Sequence, residues 1–177
     1  MTKYRLMLRE LENRVKGGAF FSYLKDQKST ICFPQETYSE LNDKNIWRNE
    51  WGGEIFFSHG KRHSKGLCIL IHPSARDKVE LFFTDKLGRI ALISIVLNSL
   101  KLLLCNIYAP NNQTAQLEFS QELNNCLIYK AELTTLTVGG DWNCTLSRSD
   151  KVGGKPWKAL NYRNLVLTTT DIFDVHM

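Results

Sequence analysis

The sequence predicts an α/β domain with more strands than helices, and three observations predict it. Two apolar runs, residues 102–107 and 136–138, stop abruptly in Pro, Gly, Asn and Asp, as core strands do where they feed loops. The first third reads strand, helix, strand, the start of a βαβ unit. Between residues 54 and 108, short apolar segments follow one another with only turn residues between them, the pattern of an antiparallel meander. With 177 residues the chain is long enough to bury a core as one domain, 1–177.

Residues 3–11 alternate, with Tyr4, Leu6 and Leu8 on one side, and predict the first strand. Residues 14–27 predict a helix whose apolar face holds Val15, Ala19, Phe20, Tyr23 and Leu24, with Gly17 and Gly18 each costing about 1 kcal/mol relative to alanine. The next strand covers 30–37, with Pro34 leaving an unpaired position inside it. Residues 38–53 are polar apart from Trp47 and Trp51 and read as loop and short helix. Strands follow at 54–58, 67–72, 79–84, 90–97 and 101–107, with turns at 85–88 and 98–99. Residues 114–131 predict a helix with Leu117, Phe119 or Ser120, Leu123 and Cys126 or Leu127 on its period, and Asn112 or Thr114 as cap. A strand at 134–139 and a last helix at 160–170 complete the chain.

A net charge of +5 permits a polyanionic partner without requiring one. The basic stretch Lys61, Arg62, His63 and Lys65 reads first as a solvated loop, with contact to backbone phosphates as the alternative. Five cysteines, none in a Cys-x-x-Cys pair, exclude a zinc finger and predict buried reduced thiols in an intracellular protein, in the cytoplasm or nucleus. The N-terminus has no signal-peptide core, and the longest apolar run is too short to cross a bilayer.

Strand ends are where α/β folds place their chemistry. Here they deliver a phenol, Tyr108, amides at Asn111 and Asn143, and a carboxylate, Asp141, after Gly139-Gly140; a second carboxylate, Glu36, ends the strand near residue 37. Each has a plain reading too: Glu36 as an exposed solubilising residue, Tyr108 as a core aromatic with its hydroxyl at the rim, and Asn111, Asp141 and Asn143 as turn residues. His59 reads as a loop residue with a structural hydrogen bond.

Three motifs, Pro34-Gln35-Glu36-Thr37, Asn106-Ile107-Tyr108-Ala109-Pro110-Asn111 and Gly139-Gly140-Asp141-Trp142-Asn143, occur in an order that resembles the endonuclease/exonuclease/phosphatase superfamily. The likeness is strongest to the apurinic-type endonuclease domain of non-LTR retrotransposons of the long interspersed element type. That resemblance, not the periodicity, implies a two-layer β-sandwich flanked by helices (DNase I-like). It implies a Mg²⁺-dependent phosphodiesterase, with Mn²⁺ as a substitute metal, that nicks DNA. Glu36 would match the metal ligand, and Asp141 the acid that orients or deprotonates water. Asn143 would hold that water or a phosphate oxygen, while Tyr108 and Asn111 would support the scissile phosphate. A reverse transcriptase domain downstream is implied in the same way.

The sequence also departs from the pattern. Met7 falls where the family's first strand carries an Asn, and a thioether is no substitute for an amide oxygen on a hard cation. Glu10 stands where glycine is usual. The family's Ser-x-Ile-Asp and Ser-Asp-His motifs have no counterpart before Met177, since Asp171, Asp174 and His176 lie too early. The expectation is therefore a C-terminally truncated, partial domain with impaired activity. Two alternatives stand beside it: a non-catalytic nucleic-acid-binding remnant, and a member of the same superfamily acting on lipid headgroups.

Overall fold

The computed structural model describes residues 6–10, 17–61, 66–75, 78–97, 99–128, 135–143 and 172–174. In chain order the elements are β1 (Leu6–Glu10), α1 (Gly17–Asp26), β2 (Ile31–Gln35), α2 (Asp43–Trp51), β3 (Glu54–Ser58), β4 (Leu67–Ile71), a 3₁₀ turn (Pro73–Ala75), β5 (Lys78–Thr84), β6 (Ile90–Leu97), β7 (Leu100–Tyr108), α3 (Gln113–Ile128), β8 (Thr135–Asp141) and β9 (Ile172–Asp174). They form two sheets, one ordered β1-β2-β4-β3 and the other β5-β6-β7-β8-β9.

The two sheets pack face to face. Period-two alternation decides which side chains meet. From the first sheet Ile31, Phe33, Leu67, Ile69 and Ile71 point inward, and from the second Ala91, Ile93, Ile95, Leu97 and Leu104 meet them. The opposite faces are covered by helices. Phe20, Phe21 and Leu24 of α1 and Trp51 of α2 seal Cys32, Ile55, Cys68 and Leu70. Phe119, Leu123 and Leu127 of α3 seal Ile90, Leu92, Leu103, Cys105 and Ile107. Covering both faces explains why β4 and β6 are near-continuous apolar runs rather than alternating ones. The architecture is the helix-flanked two-layer sandwich that the motifs implied.

Several local expectations change. The segment from 54 to 108 is not one meander: β3 and β4 pair in the first sheet, β5, β6 and β7 in the second, and the chain crosses between sheets after β4. Gly17 and Gly18 open α1 rather than interrupt it, and Tyr23 and Ala19 face solvent while Phe21 takes the buried position. On α3 the buried face runs through Gln116, Phe119, Leu123 and Leu127. Leu117, expected inside, is 63% exposed, because the face turns one residue from where Leu117 would place it. The helix expected at 160–170, Cys144 and the basic residues at 62–65 lie outside the described residues.

β1 and β2 pair in parallel, as a βαβ start requires. In their register Met7 lies beside Cys32 and Glu10 beside Gln35. The residue that β1 brings level with the end of β2 is therefore Glu10, three positions past the Met7 that motif alignment selects.

Candidate active site

β7 and β8 run parallel, with Tyr108 in register with Asp141, so both strands end at the same edge of the second sheet. Their tips are tied together: the Ala109 N–H donates to the Asp141 carbonyl at 2.8 Å. The close approach needs Gly140. Its φ is +137°, and a Cβ there would lie 2.0 Å from the Ile107 carbonyl oxygen. β2 of the other sheet packs across the sandwich against β7 and β8, which brings the end of β2 to the same edge.

The two sheets meet chemically at that edge. Residues 102, 104, 106 and 108 of β7 share the inward face, so Tyr108 continues the row of core side chains toward the rim. Its hydroxyl donates to Glu36 Oε1 at 2.9 Å. Sequence placed these two residues 72 positions apart in separate motifs; the fold makes them one unit. Glu36 is only half-buried, so its carboxylate sits at the boundary between core and solvent.

Asp141 and Asn143 form a compact turn. Asp141 Oδ1 accepts the Asn143 N–H at 2.8 Å, and Asn143 Nδ2 donates to the Ala109 carbonyl at 2.6 Å. From α3, the Gln116 side chain donates to the Asn143 carbonyl at 3.0 Å. Gln116 was not foreseen. Its only sequence signal is a polar residue standing where the helical period calls for an apolar one. One Asn143 amide hydrogen holds the strand tips together, and its side-chain carbonyl oxygen serves as an acceptor. Asn111 is exposed just past β7, while its neighbour Asn112 caps α3 by accepting the Thr114 N–H at 2.9 Å.

Backbone strain collects at the same place. Among the described residues five that are not glycine have positive φ, and three of them are Glu36 (+54°), Tyr38 (+48°) and Asn143 (+46°). A left-handed conformation costs an L-residue about 1–2 kcal/mol. Such outliers persist where surrounding structure over-determines them, and they concentrate at functional sites.

Next to Glu36, Thr37 and Ser39 are buried and share a hydroxyl contact of 3.1 Å, and His59 Nδ1 lies 3.1 Å from both the hydroxyl and the carbonyl oxygen of Ser39. The His59 ring also stacks on Phe57, with centroids 5.0 Å apart. His59 therefore braces the loop after Glu36, the structural role expected of it.

Among the described residues no three His, Cys, Asp or Glu side chains are grouped to hold a metal. The donors at this edge are carboxylate, phenol and amide, all hard, and the thiols lie elsewhere. Cys32 is buried with its thiol pushed up to about 12 by that burial, and Cys68 and Cys105 are raised by burial as well. A hard divalent ion that keeps most of its water needs only one or two carboxylates, so the donor set fits Mg²⁺ and does not fit zinc.

No known family profile matches the chain. A transposon TX1 protein of 149 kDa from Xenopus laevis is 27% identical over 130 residues, which is 73% of this chain and 10% of that protein. Among solved structures, the endonuclease domain of TRAS1, a telomere-specific non-LTR retrotransposon, superposes with a TM-score of 0.63 at 16% identity over 80% of this chain and 61% of that one. The AP endonuclease LMAP of Leishmania major superposes with a TM-score of 0.67 at 13% identity over 86% of this chain and 59% of that one. D. rerio TDP2, solved with a single-strand DNA product, gives 0.56 at 14% identity over 79% and 60%. The fold is thus shared with these proteins, and the chain spans about three fifths of their length. No helix among the described residues is long and apolar enough to cross a membrane.

Proposed function

We propose, from the sandwich it shares with endonuclease/exonuclease/phosphatase superfamily nucleases, that this chain carries a Mg²⁺-dependent phosphodiesterase site of the retrotransposon-endonuclease type, acting on DNA. The observation that carries the reading is the hydrogen bond from Tyr108 to Glu36, which joins two motifs from different sheets at the edge where Asp141 and Asn143 also end.

Hydrolysing a phosphodiester requires charge neutralisation, an oriented water and support for the leaving oxygen. Glu36 is the carboxylate that would hold the metal, with Tyr108 fixing its orientation through Oε1. Bound there, Mg²⁺, or Mn²⁺ in its place, supplies Lewis-acid neutralisation of the phosphate. Asp141 orients the attacking water and takes its proton. The Asn143 side-chain carbonyl accepts from the same water, while one amide hydrogen holds the group through the Ala109 carbonyl. Asn111, exposed beside these tips, donates to a phosphate oxygen. Met7 supplies no oxygen donor, so turnover is expected to be low. The transposon protein that this chain resembles is far longer, which supports a larger element as the setting; the reverse transcriptase domain in that setting rests on the motif resemblance alone.

Incubation of the purified chain with supercoiled plasmid and Mg²⁺ tests the reading. Nicking that disappears in Asp141→Ala and with EDTA supports it. Absence of nicking from a chain that melts cooperatively overturns it. Salt-dependent DNA binding that survives Asp141→Ala would then point to a non-catalytic remnant, and phosphate release from lipid headgroups to another branch of the superfamily.

A further inference from the structure

The most completely buried polar pair in the described structure lies one residue behind the candidate site. Asn106 has no exposed surface and Gln35 is 1% exposed. Gln35 Nε2 donates to Asn106 Oδ1 at 2.8 Å and to the Phe33 carbonyl at 2.7 Å. Asn106 Nδ2 donates to the Pro34 carbonyl at 3.0 Å and to the Cys68 carbonyl at 2.7 Å. Asn106 is on β7 and the other groups are on β2 and β4, so this network crosses from one sheet to the other.

Pro34 explains why the network is needed. β2 and β4 are antiparallel, and the His72 N–H donates to the Thr30 carbonyl. Hydrogen-bonded pairs alternate along such a ladder, so the next ones are Cys32 with Leu70 and Pro34 with Cys68. Proline has no N–H, and the Cys68 carbonyl would be buried without a donor. The Asn106 amide supplies that donor from the opposite sheet. One hydrogen bond within a sheet has been exchanged for one between sheets.

The exchange has a geometric consequence at the site. Glu36 follows Gln35 directly, and Tyr108 is two residues beyond Asn106, on the same inward face of β7. Sheets that met only through apolar contacts could slide, because such packing is non-directional. Beside the Ser58–Asp85 hydrogen bonds farther along the same edge, the Asn106 clamp fixes their relative position one residue before Glu36 and two before Tyr108. We infer that Asn106, clamped to Gln35, Pro34 and Cys68, is a positioning residue that sets the Tyr108–Glu36 alignment and, resting on the phosphodiesterase reading, the metal geometry at Glu36.

The test separates positioning from mere satisfaction of a carbonyl. Asn106→Leu keeps the branched shape and removes the clamp. Adding Pro34→Ala to it returns a backbone N–H to the Cys68 carbonyl within the sheet. A third variant, Gln35→Met, leaves the Pro34 and Cys68 carbonyls with their Asn106 donor and removes the Gln35 bonds to Asn106 and to the Phe33 carbonyl, a milder loss than that of Asn106→Leu alone. Three properties are read in each: the urea midpoint, plasmid nicking against Mg²⁺ concentration, and the ¹³Cζ resonance of Tyr108, assigned by its loss in Tyr108→Phe.

The expected result is that Asn106→Leu/Pro34→Ala recovers most of the urea midpoint while kcat stays down by about a hundredfold, the scale of a misplacement of about 1 Å. The Mg²⁺ requirement also rises and the Tyr108 resonance stays shifted. Gln35→Met gives the same direction with a smaller loss of midpoint than Asn106→Leu. Recovery of nicking and of the Tyr108 resonance together with stability in the double variant would overturn the inference. If the wild-type chain does not nick at all, the Tyr108 resonance still decides. A shift in both variants sustains positioning while the phosphodiesterase reading fails, and an unshifted resonance sinks positioning.

Discussion

Two aspartates sit at the same edge of the second sheet and are held differently. Asp85 lies in the turn between β5 and β6 and is 7% exposed. Its Oδ1 accepts from the Ser58 hydroxyl and from the Arg89 and Ile90 N–H groups, and its Oδ2 from the Leu87 N–H, at 2.7–3.1 Å. Asp141 is half-buried and sits two residues before a strained asparagine. Its Oδ1 accepts the backbone N–H of that asparagine. A buried carboxylate saturated by local donors builds the fold, because each donor it satisfies would otherwise be an orphan. Asp141 is the carboxylate to which the proposed chemistry is assigned. Residue type does not distinguish the two; burial and the backbone around them do.

Gly140→Ala is the substitution expected to damage both roles at once. The added Cβ would meet the Ile107 backbone, and φ of +137° disfavours any side chain. The tips of β7 and β8 must part, costing about 3 kcal/mol of stability. Nicking should vanish with it, because Tyr108 and Asp141 lose their register. A urea melt beside a plasmid assay checks this; an unchanged midpoint would mean that the strand tips are not as closely joined as the clash requires.

Asp85→Ala should cost about 2–4 kcal/mol by leaving the Arg89 and Ile90 N–H groups and the Ser58 hydroxyl short of an acceptor. Gly88, with φ of +72°, lets the same turn lie against Gly60, so the loss loosens the contact between the sheets as well. Asp141→Ala should cost less, about 1 kcal/mol, because it leaves the Asn143 N–H short of its acceptor. If the two alanine variants lose equal stability, the distinction between the aspartates collapses.

Glu36 sharpens the comparison from the side of strain. Glu36→Ala and Glu36→Gly both remove the carboxylate and the Tyr108 bond. They differ in that glycine relaxes at φ of +54° and alanine does not. The glycine variant should be more stable than the alanine variant by about 1 kcal/mol, with neither active. Equal midpoints would remove the case for strain at this position.

Sequence reading reached the frame because the frame rests on periodicity. β6 begins and ends where its apolar run does, and the Asn-Ile-Tyr-Ala-Pro-Asn and Gly-Gly-Asp-Trp-Asn motifs fall at the ends of adjacent strands. The division of the strands between two sheets was not legible, since a hairpin looks the same whether or not the next one joins its sheet. Nor was the clamp. Pro34 was seen as a gap in a ladder, but the residue that fills it lies 72 positions away. Gln116 and Asp85 stayed hidden for a related reason: a buried polar residue is visible only once its partners are placed. The roles proposed for Glu36, Asn111, Asp141 and Asn143 rest on the motifs, because each residue type alone also suits a turn or an exposed position.

The smallest effect concerns the helix that backs this edge. Glu122 on α3 has its carboxyl raised above the ordinary value by burial first, then by the negative charge of Asp85, with Arg89 partly offsetting both. A raised carboxyl binds its proton more tightly in the folded chain than in the unfolded one. Between the ordinary and the raised value the folded state therefore holds more protons, and stability falls as pH increases through that window. Glu122→Gln removes the ionisation, so its urea midpoint should lose part of the decline that the wild type shows as pH rises through the window. The same substitution in an Asp85→Asn background should recover less, because one of the charges that raise Glu122 is already gone. An effect of Glu122→Gln that is identical in both backgrounds would mean that burial alone acts on Glu122, and that the field of Asp85 stays within its own turn.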